Sequence, residues 1–571
     1  MDTEASIAQT MELAAAGCEI VRITAPTVKD SRNLENIVKG LRERGCNVPI
    51  VADIHFKPDA ALEAAKWVDK VRINPGNYAD SKKFLIREYS DEQYTAELQR
   101  IRERFAPLVE LCRQRGIAMR IGTNHGSLSD RIMNRYGDTP LGMVESAFEF
   151  ARIARDLDYH AFVFSMKSSN PKVMINAYRL LVARLEAEGP DWNYPIHLGV
   201  TEAGEGEDAR IKSAIGIGSL LADGIGDTIR VSLTEDSVHE IPVAKALTET
   251  GNRKAETGKI DNPPSVSFDP FSYQRRATET IAVAGVGGPD EKVRVGGEEL
   301  IRVAIRKASF EKIAHKIDKM GDYKPEIVYE NAQIEEVDPR DDAAMARLNE
   351  SPEARFVTVK DDVNLAAIAA FRLLAAKLHP RHPILLKDTL EGGSARCADR
   401  TQQHGVPTQD FLNTLLTAAT NIGSLLCDGI GDAILVQGEE APGQSLRLSY
   451  NILQAAGSRI FKTDYVACPS CGRTLFNLQT TTAKIKADTI HLKGVKIAIM
   501  GCIVNGPGEM ADADFGYVGG APGKVNLYVG KTPVKFNIPE AEAVDRLKDL
   551  IREHGKWVDP VLIPAEVVTA N

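Results

Sequence analysis

Short apolar runs alternate with amphipathic stretches along the first 250 residues. Amphipathic segments such as residues 31–45 have the apolar spacing of helices. The runs between them are short and rich in β-branched residues, which predicts strands. The predicted strands span residues 19–24, 49–54, 70–74, 118–124, 160–168, 195–202 and 228–234. This alternation indicates βαβ units and a parallel sheet, so the fold class is α/β.

The predicted strands share a polarity pattern, since each has apolar residues in its interior and a polar or charged residue at or next to its C-terminal end. The pattern is typical of a TIM-type (β/α) barrel, in which the carboxyl ends of the strands form the active site. A complete barrel has about eight strands, whereas this stretch predicts seven and opens directly on a helical pattern. We therefore expect a barrel that lacks its first strand, through a shortened chain or a misplaced start.

A long repeat marks the middle of the chain. The sequence IGSLLADGIGDTIRVS at 217–232 recurs as IGSLLCDGIGDAILVQ at 422–437, with twelve of sixteen positions identical. Upstream of it, PILLKDTLEGG (383–393) loosely resembles PIHLGVTEAG (195–204). Residues 251–275 are polar and rich in proline, as expected of a linker. We predict three domains. They are a barrel at 1–250, a linker with a degenerate second barrel as an insert at 251–455, and a small α/β domain at 456–571.

The two copies of the repeat differ where their strand ends. Scaffold residues on the helix side persist as the pairs Leu220/Leu425, Asp223/Asp428 and Gly226/Gly431. At the strand end, Arg230 becomes Leu435 and Ser232 becomes Gln437. A copy that keeps its packing residues and loses its cation is expected to have a structural role.

Composition narrows the class of protein. The chain has 571 residues and a formal net charge of −9, which argues against a general nucleic-acid-binding surface. No apolar run approaches the length of a membrane span, and the first residues lack the pattern of a leader peptide. We expect a cytoplasmic protein that binds neither nucleic acid nor membrane. Eight scattered cysteines are too few for a disulfide framework.

Three cysteines nevertheless form a pattern near the C-terminus. Cys468 and Cys471 lie in a CxxC turn, and Cys502 follows an apolar strand in a turn rich in glycine and proline. Three thiolates would leave one iron of a 4Fe–4S cluster for another ligand, and Glu509 closes the same turn. A zinc ribbon with His491 as the fourth ligand is the alternative. A thioredoxin-type redox pair fits less well, because the strand–CxxC–helix context is lacking.

Cationic and polar residues cluster at the predicted strand ends of the barrel. Any one of these arginines alone would be interpreted as a solvated rim residue. Together they indicate a pocket for a diphosphate or bisphosphate, because one arginine can donate hydrogen bonds to two phosphate oxygens at once. Glu202, in the turn after its strand, is available for general acid–base chemistry. The other residues of this set are Arg22, Asp53, His55, Arg72, Asn74, Arg120, Asn124, Lys167, His197, Arg230 and Ser232.

Six segments together resemble the 4-hydroxy-3-methylbut-2-enyl diphosphate synthase family. The resemblance covers residues 1–250 and 456–571, and the repeated middle resembles the insert of the large, three-domain form. Members have a first strand with further polar residues, which this chain does not show. The segments are VRINPGN (71–77), MRIGTNHGSL (119–128), HLGVTEAG (197–204), GIGDTIRVSLT (224–234), CPSC (468–471) and GCIVNGPGE (501–509).

The resemblance implies an activity and a set of site residues. The activity is reductive ring-opening and dehydroxylation of 2-C-methyl-D-erythritol 2,4-cyclodiphosphate to 4-hydroxy-3-methylbut-2-enyl diphosphate, in non-mevalonate isoprenoid biosynthesis. Ferredoxin or flavodoxin is the implied electron donor, and Glu202 the implied catalytic carboxylate. The implied ligands of a 4Fe–4S cluster are Cys468, Cys471, Cys502 and Glu509, the last also catalytic. The implied substrate-binding residues are Arg22, Arg72, Arg120, Asn124, Lys167, Arg230 and Ser232.

Two other functions are alternatives for this sequence. One is a pterin-type or aldolase-type barrel enzyme with a structural zinc domain. The other is a non-catalytic interaction protein stabilised by zinc. For the favoured function, we expect residues 262–455 to act as an internal scaffold that lets the cluster domain reach the first barrel of its own chain.

Overall fold

The computed structural model describes residues 1–54, 57–79, 88–256, 274–390, 409–469, 474–503, 506–510 and 512–560. The chain divides into two compact units, Met1–Arg459 and Ile460–Asn571. The first unit contains both the predicted barrel and the predicted insert. No helix in the described residues is long and apolar enough to cross a membrane.

The first part of unit one is a parallel sheet whose strands follow one another in chain order. Strands β1 to β5 form one sheet, and a bridge between Phe164 and Ile196 leads on to the pair β6–β7. All seven predicted strands are therefore present and parallel, as the barrel prediction required. The first described element is a helix, which precedes β1. The strands are β1 Val21–Thr24, β2 Ile50–Asp53, β3 Lys70–Ile73, β4 Ala118–Asn124, β5 Phe162–Lys167, β6 His197–Leu198 and β7 Thr228–Ile229.

Helices connect these strands, and their ends follow from local sequence. Thr27 accepts a hydrogen bond from the Asp30 amide and caps α2. A capping box between Ser90 and Gln93 begins α5, and Gly116 ends it in the left-handed conformation. A π-helical segment, Ala214–Gly218, links α9 to α10. The helices are α1 Thr3–Ala15, α2 Val28–Glu43, α3 Pro58–Ala64, α4 Pro75–Tyr78, α5 Asp91–Arg115, α6 Asp130–Tyr136, α7 Pro140–Asp156, α8 Pro171–Glu188, α9 Gly206–Ser213, α10 Ser219–Ala222 and α11 Glu240–Glu256.

The insert opens with an antiparallel hairpin, β8–β9, and continues with six parallel strands. Strand β15 pairs with both β14 and β10, so the last of the six lies beside the first. A bridge between Val357 and Ile384 joins β13 to β14. The strands are β8 Ile281–Gly285, β9 Gly288–Val295, β10 Arg302–Ile305, β11 Ile327–Val328, β12 Glu335–Val337, β13 Val357–Val359, β14 Leu385–Lys387 and β15 Ala433–Leu435. The helices are α12 Lys307–Ile313, α13 Asp342–Asn349, α14 Ala367–Lys377, α15 Gln409–Cys427 and α16 Pro442–Ala455.

The two copies of the repeat pack against each other. Ser219 and Ser424, which are equivalent positions, share a hydrogen bond of 2.6 Å between their Oγ atoms. A Cβ on Gly218 would lie 2.3 Å from Thr420, and one on the equivalent Gly423 would lie 2.4 Å from Ile215. Thr420 and Ile215 are themselves equivalent positions, so the contact has an approximate two-fold symmetry. Small residues therefore let helix α15 approach the π-helical segment and helix α10 closely.

Crossed ion pairs extend this symmetry. Arg179 of α8 donates to Asp223 at 2.8 Å and to Asp428 at 2.7 Å. Arg372 of α14 donates to the same two carboxylates, at 2.8 Å to Asp428 and at 2.7 Å to Asp223. Asp223 and Asp428 are the equivalent aspartates of the repeat. Their persistence in both copies is thus explained by packing between the copies.

Unit two contains a five-stranded sheet in chain order. Strands β16, β17 and β18 are parallel, and β19 and β20 continue the sheet antiparallel. Apolar residues of the sheet pack against α17 and α19. The strands are β16 Asp464–Ala467, β17 Lys496–Met500, β18 Phe515–Ala521, β19 Lys524–Val529 and β20 Thr532–Pro539. The helices are α17 Leu478–Thr489, α18 Gly506–Glu509 and α19 Glu540–Glu553.

Candidate functional site

Asp53 joins two of the predicted substrate-binding arginines at the carboxyl ends of the first strands. Arg22 Nη1 lies 2.9 Å from Asp53 Oδ2, and Arg72 Nη1 donates to Asp53 Oδ1 at 3.0 Å. The other end of the Arg72 guanidinium donates to the Gly122 carbonyl at 2.8 Å and to Asn124 Oδ1 at 3.1 Å. Asp53 therefore orients two arginines, and one of them orients Asn124.

Arg120 and Lys167 are cations buried beside these arginines. Each is 5% exposed. Burial and the charges of Arg72 and Arg22 lower the pKa of Arg120 to about 9. Burial and then the charges of four neighbouring arginines lower the pKa of Lys167 well below its usual value. A Cβ on Gly199 would lie 2.8 Å from Lys167 Nζ, so glycine at that position leaves room for the lysine.

Arg230, just after β7, belongs to the same group of charges. Asp53 raises the pKa of Arg22, but burial and the charges of Arg230 and Arg72 oppose it, and the net pKa is lowered. The end of β7 therefore lies close to β1. Arg230 Nη2 also donates to Glu240 Oε1 at 3.1 Å, which holds the arginine in place.

The structure thus brings all five predicted cations together. Each of Arg22, Arg120 and Lys167 has its pKa lowered by the charges of its cationic neighbours, and Asp53 partly offsets this effect at Arg22 and Arg120. Such a concentration of buried positive charge is stabilised when an anion enters it. The arrangement suits the binding of an anion. The cations are Arg22, Arg72, Arg120, Lys167 and Arg230.

His197 lies on β6 beside this group. Burial, followed by the charges of Lys167 and Arg120, lowers the pKa of His197 well below its usual value. Its Nδ1 lies 2.9 Å from Thr228 Oγ1. The imidazole is therefore neutral at neutral pH and adds no further positive charge to the pocket.

Glu202 and Ser232, the remaining predicted residues of the barrel, are both buried. Glu202 is 5% exposed and has a φ of +48°, a conformation that residues other than glycine rarely adopt. The amide of the preceding Thr201 donates to the Ser168 carbonyl at 3.1 Å, which places the Glu202 loop beside Lys167. Ser232 Oγ is buried and has no hydrogen-bond partner in the part of the chain that the structure describes. It is a donor available to a ligand.

In unit two, Cys468 and Cys502 follow neighbouring parallel strands. Residues Ala467 and Ile499 are paired in the register of β16 and β17, so both cysteines lie at the same edge of the sheet. The Gly501 amide donates to Cys468 Sγ at 3.2 Å, an interaction that stabilises anionic sulfur. Both side chains are half-buried. This edge suits thiolate ligands of a metal group.

The remaining predicted ligands are less completely described. Cys471 lies outside the described residues, and Glu509 ends the short helix α18 after Cys502. Among the residues that the structure does describe, no group of three or more His, Cys, Asp or Glu side chains could hold a metal ion. The assignment of these four ligands stays a prediction.

His491, the candidate fourth ligand of a zinc ribbon, is engaged elsewhere. Its Nε2 lies 2.8 Å from the Val558 carbonyl, and its ring packs edge-on against Trp557. His491 precedes β17 whereas Cys502 follows it, and a strand of five residues spans about 16 Å. The histidine is therefore at the opposite end of the strand from the cysteines, which argues against the zinc ribbon.

One counter-ion, Glu240, was not among the predicted residues of the barrel, and Asp53 was predicted there without its bridging role. Asp53 ends a predicted strand, and a carboxylate amid arginines at strand ends is a signal that could have assigned it. Glu240 lies ten residues beyond Arg230, at the start of α11. No pattern in the sequence links Glu240 to Arg230, because their contact depends on the path of the intervening chain.

Comparison with known proteins assigns the chain to a family. Two family models match it, the GcpE TIM-barrel domain over residues 1–245 and the GcpE protein C-terminal domain over residues 464–553. A relative from Akkermansia muciniphila is named 4-hydroxy-3-methylbut-2-en-1-yl diphosphate synthase (flavodoxin). It is 60% identical, over 98% of this chain and 92% of that protein.

More distant relatives have the same name with different donors. The protein of Chlorobaculum tepidum, also named as the flavodoxin enzyme, is 43% identical over 98% of this chain and 86% of its own length. The chloroplastic protein of Arabidopsis thaliana is named as the ferredoxin enzyme and is 43% identical, over 98% of this chain and 84% of its own length. The chain belongs to the 4-hydroxy-3-methylbut-2-en-1-yl diphosphate synthase family, and its first 245 residues form that family's TIM-barrel domain.

Proposed function

We propose that this protein makes 4-hydroxy-3-methylbut-2-enyl diphosphate from 2-C-methyl-D-erythritol 2,4-cyclodiphosphate by reductive ring-opening and dehydroxylation. The observation that carries the proposal is the group of buried cations at the strand ends of the first barrel. A cyclic diphosphate supplies the negative charge that this group lacks. The names of the relatives point to the same product.

The cations have distinct tasks in this proposal. Arg22 and Arg72 are oriented by Asp53, so their guanidinium groups lose little conformational entropy when an anion binds beside them. Arg120 and Lys167 provide buried charge, which is stronger in its effect on a ligand than exposed charge. When the ring opens, the departing phosphate oxygen gains negative charge in a place where these cations already stabilise it.

Glu202 is the proton donor in this proposal. The reaction consumes two electrons and, with the released phosphate oxygen left as an anion, one proton, and the substrate oxygen that is removed leaves as water. The carboxyl group of Glu202 is buried in the loop beside Lys167, so in its protonated form it is placed to donate the proton with which that oxygen leaves as water. Asn124 and Ser232 provide neutral hydrogen bonds that orient the substrate.

Cys468, Cys471 and Cys502, with Glu509 as the fourth ligand, would hold a 4Fe–4S cluster in unit two. The position of Cys468 and Cys502 after adjacent strands, and the Gly501 amide that donates to Cys468 Sγ, support this assignment. When bound, the cluster would accept single electrons from ferredoxin or flavodoxin and supply them to the substrate. The residues of the chain itself bind the anion, exclude water and supply the proton.

The insert is proposed to be a second, degenerate barrel with a structural role. Its six parallel strands follow a cyclic order in which β15 pairs with β10, and the crossed Arg179 and Arg372 pairs attach it to the first barrel. The chain would then comprise the predicted domains 1–250, 251–455 and 456–571. The insert is proposed as an internal scaffold, so that one chain carries a complete set of catalytic groups.

Anaerobic turnover of the cyclic diphosphate with a reduced donor tests the proposed function. The reconstituted parent should contain iron and sulfide and release the linear diphosphate. Cys468→Ala and Cys502→Ala should each lose iron binding and activity, whereas Glu509→Ala should retain a labile cluster and lose turnover. A protein that contains zinc and no iron, or that leaves the substrate unchanged, would refute the proposal.

Mixing two inactive variants tests the internal scaffold separately. Glu202→Ala removes the proton donor and Cys502→Ala removes the cluster. If one chain carries a complete site, the mixture stays inactive. Strong recovery of activity would mean that chains share sites, and the scaffold proposal would be wrong.

A further inference from the structure

The backbone of Glu202 needs support from its surroundings. A φ of +48° at a residue with a side chain costs free energy and persists only where neighbouring contacts impose it. Glu202 lies in the short connection between β6 and α9. The contacts on both sides of this connection therefore determine where the carboxylate lies.

The first barrel supplies the contacts on one side. The Thr201 amide donates to the Ser168 carbonyl at 3.1 Å, and the Thr234 amide donates to the Gly204 carbonyl at 2.7 Å. The Gly206 amide donates to a Glu235 carboxylate oxygen at 2.9 Å. These bonds attach the connection to the ends of β5 and β7.

The insert supplies the contacts on the other side, at the first turn of α9. Asn451 Nδ2, on helix α16, donates to Glu207 Oε1 at 2.8 Å. Arg447 Nη2, one turn earlier on the same helix, lies 2.9 Å from Glu207 Oε2. Both carboxylate oxygens of Glu207 are thus held by the insert, and Glu207 lies five residues after Glu202.

Helix α9 is also held at its other end. It continues directly into the π-helical segment Ala214–Gly218, and Thr420 Oγ1 of helix α15 donates to the Ala214 carbonyl at 3.2 Å. Because both ends of α9 contact the insert, the helix is fixed to it as a rigid piece. A shift of the insert against α9 would therefore change the conformation of the short connection that carries Glu202.

We propose that Asn451 and Arg447 of the insert are positioning residues for the reaction, and that they act on Glu202 through Glu207. This inference rests on the proposed function and gives the insert a part in catalysis beyond that of a passive scaffold. The insert lacks the cation at position 435 that the first barrel has at 230. The insert instead helps to position Glu202, the proton donor, in the first barrel.

Asn451→Asp is the first test, because it replaces the amide donor by a second carboxylate facing Glu207. Hydrogen exchange of residues 199–213 should become faster in this variant, measured on the holoenzyme without substrate. The kcat should fall about fivefold, the equivalent of one lost hydrogen bond of about 1 kcal/mol. The KM for the cyclic diphosphate should stay unchanged, because the cations of the pocket are untouched.

A compensating change separates positioning from general damage to the fold. Adding Glu207→Gln to Asn451→Asp restores a hydrogen bond with donor and acceptor exchanged, and both kcat and slow exchange should return. Arg447→Ala is a gentler variant that buries no charge, since this side chain is 47% exposed. It should accelerate exchange of the same residues to a smaller degree. Arg340→Ala, which removes an ion pair with Asp338 elsewhere in the insert, is the matched control and should change neither quantity.

Unchanged exchange at residues 199–213 in both Asn451→Asp and Arg447→Ala would overturn the inference. So would failure of the double variant to recover kcat. Exchange is measured without turnover, so its outcome does not depend on the substrate. If the parent fails to convert the cyclic diphosphate while exchange responds as expected, the proposed function is wrong and the mechanical link from the insert to the Glu202 connection remains.

Discussion

The strand ends of the first barrel and those of the insert contain similar residue types that differ in their counter-ions. In the first barrel, burial and neighbouring arginines lower the pKa of Lys167. In the insert, the fully buried Lys387 lies 2.5 Å from Asp361 Oδ1, and Arg306 Nη2 lies 2.9 Å from the other oxygen of the same carboxylate. Burial by itself raises the pKa of Asp361. The hydrogen bond from Lys387 and the charges of Lys387 and Arg306 have a larger, opposite effect, so the net pKa of Asp361 lies below its usual value. The cations of the insert are neutralised by its own chain.

The positions that changed between the copies explain this difference. Lys387 occupies the place that Gly199 has in the first barrel, where glycine makes room for Lys167. Gln437 replaces Ser232, and its Oε1 accepts from Arg306 Nε at 3.1 Å. The longer side chain of Gln437 thus supplies a hydrogen-bond acceptor to Arg306 within the insert. In the first barrel Asp53 is shared by two arginines, whereas in the insert Asp361 and Gln437 bind Lys387 and Arg306.

The largest expected effect comes from exchanging each buried lysine for methionine. Lys167→Met should lower kcat/KM on the order of a thousandfold, because removing one partner of a buried charge pair costs about 4 kcal/mol. It should leave thermal stability equal or higher, since an uncompensated buried charge disappears. Lys387→Met should do the reverse, with activity retained and the melting temperature lowered, because Asp361 loses a partner. Steady-state kinetics and thermal unfolding of the two variants would decide this, and similar effects on both would contradict the comparison.

Much of the fold was predictable because the strand signal in the first barrel is repeated. All seven predicted strands occur within a few residues of their predicted bounds, although β6 and β7 are only two residues long. The repeat at 217–232 and 422–437 predicted a duplicated element, but not that the two copies pack on each other. That contact depends on the pairing of Gly218 with Thr420 and of Arg179 with Asp428, which are distant in sequence.

The candidate site was predictable in its cations and not in their partners. Arginines at strand ends converge because parallel strands place their carboxyl ends together. The bridging role of Asp53 and the clamp of Glu240 on Arg230 depend on side-chain rotamers and loop paths that a single sequence does not encode locally. The same holds for Asn451 of the insert, whose partner Glu207 lies in the first barrel.

A smaller effect is expected where the insert has already made the substitution. Arg230→Leu reproduces the residue at position 435 and should raise the KM for the cyclic diphosphate about tenfold to a hundredfold, the usual range for a charge-assisted hydrogen bond. The barrel should stay folded, because Arg230 is only partly buried and the same change is tolerated in the repeat. Leu435→Arg should create no second site, since Asp361 and Gln437 already bind the nearby cations. An unchanged KM in Arg230→Leu would remove this residue from the pocket.

The smallest expected effect concerns stability and pH. The pKa of Lys167 is lower in the folded protein than in the unfolded chain, because burial and the neighbouring arginines disfavour its charged form. Between these two pKa values the unfolded state binds more protons, so stability rises with pH through that window and a penalty remains below it. The difference in melting temperature between the parent and Lys167→Met should therefore shrink as the pH rises from neutral toward the usual pKa of lysine, by about 1–2 °C. A saturating diphosphate ligand should abolish this dependence, because it stabilises the charged amine. A difference that is constant with pH in the ligand-free protein would show that Lys167 is charged without penalty, and the contrast with Lys387 would then lie in geometry alone.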